Sequence, residues 1–199
     1  MSRKPITLVV IGDRNTGKSM AISQYVLGKC EHCKLLPTIE DQYRKSLPDN
    51  KLLEVIDTAG NEATFELMRN LYKSTGHGFM IFYSVESINS WLRALREFGD
   101  LRLSKSSQGK PIVVVGTYLK TNGGERKVSK EQLETFGAVN QVRVFEVDLN
   151  NAQDVNNAFD CMVFQMDRFK VDLSNSIKNE EKRRCLFCSC CSCCPCCIC

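Results

Sequence analysis

The residues Gly12-Asp13-Arg14-Asn15-Thr16-Gly17-Lys18-Ser19 match the spacing G-x-x-x-x-G-K-[ST] at every fixed position. Two glycines at that interval let the backbone curl so that successive amide N–H groups converge on phosphate oxygens. Lys18 then brings a point charge to the outer phosphates, and the Ser19 hydroxyl is placed to hold Mg²⁺. A second group, Asp57-Thr58-Ala59-Gly60, stands behind a short apolar run. Taken alone it reads as a turn or a helix cap. Behind a phosphate loop it offers an aspartate for Mg²⁺ and a flexible glycine whose N–H can meet a γ-phosphate.

Both groups need rigid supports, and the hydrophobic pattern supplies them. Apolar runs at Ile6 to Ile11, Leu52 to Ile56, Gly78 to Tyr83, Pro111 to Gly116 and Val142 to Val147 predict strands. A further strand at Tyr43 to Leu47 is expected to pair with Leu52 to Ile56 through Pro48-Asp49-Asn50. Between them, apolar residues recur at helical spacing: Ala21, Ile22, Tyr25 and Val26 after the phosphate loop, then Ile88, Trp91, Leu92, Leu95 and Phe98, then Val155, Ala158, Phe159, Met162, Met166 and Phe169. These stripes are read as core-facing. Strands alternating with helices predict an α/β fold: a three-layer phosphate-loop NTPase domain, with a mostly parallel six-stranded sheet covered by helices on both faces. The domain is expected to span residues 1–170, followed by a flexible linker and Cys-rich tail over 171–199.

With Pro37-Thr38-Ile39-Glu40-Asp41-Gln42-Tyr43 between the two groups, the chain resembles the Ras family of small GTPases. The resemblance covers about Ile6 to Phe169. It implies binding of GTP and GDP with Mg²⁺, and hydrolysis of GTP. It places Gly12 to Ser19, Thr38, Asp57 and Gly60 on the nucleotide, with Ser19, Thr38 and Asp57 as the Mg²⁺ ligands. Lys18, Thr38 and Asn61 take the catalytic positions. Ile39, Glu40, Asp41 and Tyr43 fall in the first switch, the loop through which the family docks effector proteins.

The departures from that family are as telling. Where its members read guanine with Asn-Lys-x-Asp, this chain has Thr117-Tyr118-Leu119-Lys120. Lys120 has only donors and cannot replace an acceptor carboxylate. The supporting Ser-Ala-Lys motif becomes Asp148-Leu149-Asn150. Upstream of Thr38, Cys30-Glu31-His32-Cys33 replaces the usual phenylalanine, and His32 is read either as an exposed loop histidine or as a base-stacking ring. The glutamine that orients the attacking water is Asn61, one methylene shorter. A position that is glycine in most Ras proteins is Arg14, which crowds the water and any arginine finger, or acts as a finger itself. Weak base preference, fast exchange, slow hydrolysis and a bias toward the GTP state are the expectations. The alternative is a pseudoGTPase that presents the effector loop without cycling nucleotide.

Of 12 cysteines, Cys30, Cys33 and Cys161 lie in the body, and the other nine crowd between Cys185 and Cys199. Such a tail cannot build a core. Three chemistries fit it: S-palmitoylation beside Lys182-Arg183-Arg184, at Cys185 and Cys188 among others; prenylation at Cys196 within Cys196-Cys197-Ile198-Cys199; or metal binding by C-x-x-C spacing. Lipidation places the protein on the cytoplasmic face of a membrane, the plasma membrane first. The net charge of +4 is mild and no basic, aromatic-studded stripe accompanies it, so no nucleic-acid partner is expected. No apolar run is long enough to cross a bilayer and no secretory signal or N-myristoylation glycine is evident, so the chain is read as cytosolic in origin.

Overall fold

A computed structural model describes residues 5–29, 40–119 and 124–187. Thr38 and Ile39, with Cys30, His32 and Cys33, lie outside the described residues, as do Lys120, Cys188 and Cys196. The elements follow the chain as β1 (Ile6–Gly12), α1 (Lys18–Leu27), β2 (Glu40–Leu47), β3 (Lys51–Thr58), α2 (Glu62–Thr75), β4 (Gly78–Ser84), α3 (Ile88–Leu103), β5 (Ile112–Tyr118), α4 (Lys130–Asn140), β6 (Arg143–Asp148) and α5 (Ala152–Phe187). The chain divides into two compact units, Met1–Met166 and Asp167–Cys199. Helical backbone continues to Phe187, past Lys170, where the apolar period fades.

The sheet has the order β2-β3-β1-β4-β5-β6. Only β2 runs antiparallel to its neighbour; the other pairings are parallel. Asp49 and Asn50 take φ of 60° and 54° between β2 and β3, a left-handed geometry that Asn and Asp tolerate and that a tight hairpin connection needs.

Strand periodicity sorts the core into two layers. Leu8 and Val10 of β1, with Met80 and Phe82 of β4, pack with Ile22 and Tyr25 of α1 and Val155, Phe159 and Met162 of α5. Val9 and Ile11, with Phe79 and Ile81, face Phe65 and Tyr72 of α2 and Trp91 and Phe98 of α3. Central strands buried on both faces read as unbroken apolar runs, which is why these were legible. Burial of this kind contributes about 25 cal/mol per Å² of apolar surface.

One expected stripe is corrected. On α3 the buried residues are Trp91, Ala94, Phe98 and Leu101, whereas Ile88 and Leu92 are more than 40% exposed. The helix turns Arg93 and Glu97 inward instead, at 7% and 3% exposure. Trp91, Ala94, Phe98 and Leu101 set the buried face, and Arg93 and Glu97 are tolerated beside it because each has an ionic partner.

Candidate functional site

The phosphate loop joins β1 to α1 with no slack. Gly17 caps α1 at φ 75°, and a Cβ there would stand 2.4 Å from Leu149 Cδ1, so both backbone twist and close packing require glycine. Asn15 is also left-handed, at φ 57°. The Thr16 hydroxyl donates to Asp13 O at 2.9 Å and fastens the curl. The helix that follows aims its N-terminal amides and dipole toward an anion.

Lys18 lies 6% exposed with Nζ donating to Gly12 O at 3.0 Å and to Asp13 O at 2.8 Å. Burial pushes its pKa down to about 8; Arg93 adds to the fall, while Asp57 and Asp13 oppose it. A desolvated ammonium at the mouth of a ring of amides is poised to exchange its carbonyl partners for phosphate oxygens. The Ser19 hydroxyl donates to Asp57 Oδ2 at 2.5 Å, across 38 residues of sequence. These are hard oxygen donors brought to one point at a carboxylate that is fully buried, the chemistry that suits Mg²⁺. The structure therefore brings together Gly12 to Ser19, Asp57 and Gly60 from the expected set.

Gly60 sits against the phosphate loop, where a Cβ would come within 2.8 Å of Arg14 Cα. Asn61 and Arg14 line one cavity beside it. The buried Arg93 of α3, which sequence reasoning missed, closes this arrangement: its Nη1 donates to Asp13 Oδ1 at 3.0 Å and to Gly60 O at 2.8 Å. One guanidinium thus ties the phosphate loop to the segment after β3. The only advance signal was Asp13, a carboxylate in a loop built for anions.

On the base side, the Thr117 hydroxyl shares its proton between Thr16 O at 2.8 Å and Tyr83 O at 3.0 Å. The first residue of the altered Thr117-Tyr118-Leu119-Lys120 segment therefore still anchors the phosphate loop. Sequence comparison with the family motif counted it only as a loss. Asp148 is buried, its Oδ1 accepting from Asn150 N at 3.1 Å, and Leu149 N donates to Tyr118 O at 3.1 Å.

Glu40, Asp41 and Tyr43 fall on β2, the edge strand. Glu40 is not simply displayed: its Oε2 accepts from the Tyr72 hydroxyl of α2 at 2.6 Å. Burial, then this bond, raises the Tyr72 pKa. Further along α2, Arg69 bonds Glu97 and Asp100, and Lys73 reaches Asp100 at 2.5 Å. Burial favours the protonated Asp100, but Lys73 and Arg69 prevail and hold its carboxyl below the usual range.

A family model for the Ras family matches residues 7–168. The chain belongs to the Ras family. It is 36% identical over 155 residues to Ras-like protein 1 of Saccharomyces cerevisiae, covering 76% of this chain and 49% of that protein. It is 32% identical to a Ras-like protein of Laccaria bicolor, covering 84% of this chain and 80% of the relative. With Protein ras-1 of Neurospora crassa it shares 31% identity over 88% of this chain and 78% of that one. The chain thus spans about half the length of the Saccharomyces relative. For a Ras-family chain the cofactors are Mg²⁺ and GTP or GDP.

Among the described residues no helix is long and apolar enough to cross a membrane. None of their His, Cys, Asp and Glu side chains cluster in groups of three that could hold a metal ion, and Cys161 is a free thiol.

Proposed function

We propose that this chain is a GTP-dependent signalling switch that hydrolyses GTP slowly and rests mainly in its GTP-bound state. The observation that carries the reading is the packing of Arg14 directly on Gly60, with Asn61 on the same cavity wall. The ring of loop amides and Lys18 take the phosphates. Ser19 and Asp57, with Thr38, would hold Mg²⁺, which when bound neutralises charge on the outer phosphates. Asn61 reaches less far than a glutamine toward the attacking water, and the Arg14 side chain fills space beside it. The barrier to hydrolysis stays high because the water is poorly positioned, not because the phosphates are poorly held.

Ile39 to Tyr43 present an effector surface. The tail attaches the switch to the cytoplasmic face of a membrane, foremost the plasma membrane. Nine cysteines behind Lys182-Arg183-Arg184 support acylation at several sites, and one lipid chain alone binds only marginally. Hydroxylamine-sensitive acyl labelling of the full chain, lost when Cys185 and Cys188 are replaced by Ser with the other tail cysteines, tests that part.

Single-turnover hydrolysis tests the rest. Asn61→Gln combined with Arg14→Gly is expected to raise the rate by about tenfold or more while changing GTP affinity little, an amount equal to about 1.4 kcal/mol of barrier. Equal rates in parent and double variant overturn the hydrolysis mechanism. Absence of saturable GTP binding in competition with ATP and GDP overturns the switch itself and leaves an effector-presenting module.

A further inference from the structure

The cavity between the phosphate loop, the Gly60-Asn61 corner and α3 has a volume of about 370 Å³. Among the described wall residues three are arginines, Arg14, Arg93 and Arg96; two more are Asn61 and Asn89; and one is a carboxylate, Asp13. Three positive charges less one negative leave the described lining at net +2.

The pairing of those charges is incomplete. Among the described residues, Arg14 and Arg96 are exposed and neither guanidinium has an ion pair. Arg93 has a side chain only 9% exposed and uses Nη1 for Asp13 and Gly60. Its Nη2 and Nε are buried and make no hydrogen bond. The nearest carboxylate to Nε, Glu97 Oε1, stands at 3.9 Å, beyond bonding reach, and is held by Arg69 Nη2 at 3.2 Å. A buried N–H without an acceptor is costly, and three guanidiniums around one space repel one another. An oxyanion in that space would offset the repulsion among the three guanidiniums.

We propose that this cavity is a second anion site, additional to the nucleotide cradle, that takes a phosphate monoester. The lining charge matches a dianion, and guanidinium groups are matched in geometry to the paired oxygens of phosphate. The amides of Asn61 and Asn89 supply neutral donors for the remaining oxygens. Two sources share this chemistry: a small phosphorylated molecule, or a phosphorylated side chain on a partner protein. Either would share Arg93 with the Gly60 carbonyl, so occupancy bears on the segment that carries Asn61.

The test uses the full chain loaded with GDP and Mg²⁺, so that the cradle is filled, with nucleotide retention measured separately. Inorganic phosphate, O-phosphoserine and a short phosphoserine peptide are titrated in, and arginine side-chain resonances are followed by NMR. Saturable shifts are expected, with affinity at least about tenfold weaker in Arg96→Glu, a variant that leaves GDP retention unchanged. Tighter binding of the peptide than of O-phosphoserine assigns the partner source; equal affinities assign the small molecule. Shifts that do not saturate, or equal affinity in parent and Arg96→Glu, overturn the proposal. Loss of GDP during loading bears on the nucleotide reading alone, because Arg96 is not among the residues assigned to the nucleotide and its substitution still discriminates. Arg93→Gln is the second variant, expected to abolish saturation while circular dichroism reports an intact fold.

Discussion

The two ends of the nucleotide site differ in how they are built. At the phosphate end each polar group has a local reason to be where it is: Lys18 on two loop carbonyls, Ser19 on Asp57, Thr16 on Asp13. At the base end the residues of the family motif are exchanged, yet Thr117 still fastens the phosphate loop and Leu149 still packs beneath Gly17. The scaffolding half of the base-reading segment has been kept and its recognition half replaced. Anchoring and recognition are expected to separate even within four consecutive residues.

The largest way to break that contrast is at Lys18. Lys18→Met is expected to weaken GTP binding about 100-fold or more, read by equilibrium competition, because a charge-assisted contact to phosphate is lost in a desolvated site. The same variant sharpens the electrostatic argument in the nucleotide-free, Mg²⁺-free protein. The folded pKa of about 8 lies below the unfolded value of 10.5. Between those values the unfolded chain binds more protons, so stability rises with pH there, whereas below pH 8 the full cost of the buried charge is present. Denaturant unfolding at pH 7 and pH 9.5 should show a gain of about 2 kcal/mol in the parent that Lys18→Met lacks.

Next in size is Thr117→Val. It removes the shared proton between Thr16 O and Tyr83 O in a buried setting and is expected to lower stability by about 1–2 kcal/mol by thermal unfolding, with GTP and ATP affinity falling together. Lys120→Asp should do the reverse: leave stability near the parent's while raising the preference for GTP over ATP by about tenfold in the competition assay. If Thr117→Val altered base preference, or Lys120→Asp altered only stability, anchoring and recognition would not be separable.

How far the molecule was legible follows from the range of the interactions. The six strands and the phosphate loop were readable because their signals are local: unbroken apolar runs, and two glycines at fixed spacing. The Ser19 to Asp57 pairing was readable because the second group follows its own strand. Arg93 was not, since an arginine two residues after a tryptophan carries no mark of burial; its partners lie 80 and 33 residues away. For the same reason Ile88 and Leu92 were assigned to the core, although the helix turns its charged residues inward to meet Asp13 and Arg69. The bond from Tyr72 to Glu40 was equally hidden, linking residues 32 apart on two elements.

That last bond ties the outward strand edge to α2. A partner that draws Glu40 Oε2 away from Tyr72 would take the acceptor from a residue that is 3% exposed. Tyr72 lies on α2, whose first turn begins one residue after Asn61. By reciprocity, any partner whose grip on Glu40 depends on the position of α2 would bias α2 by the same free energy.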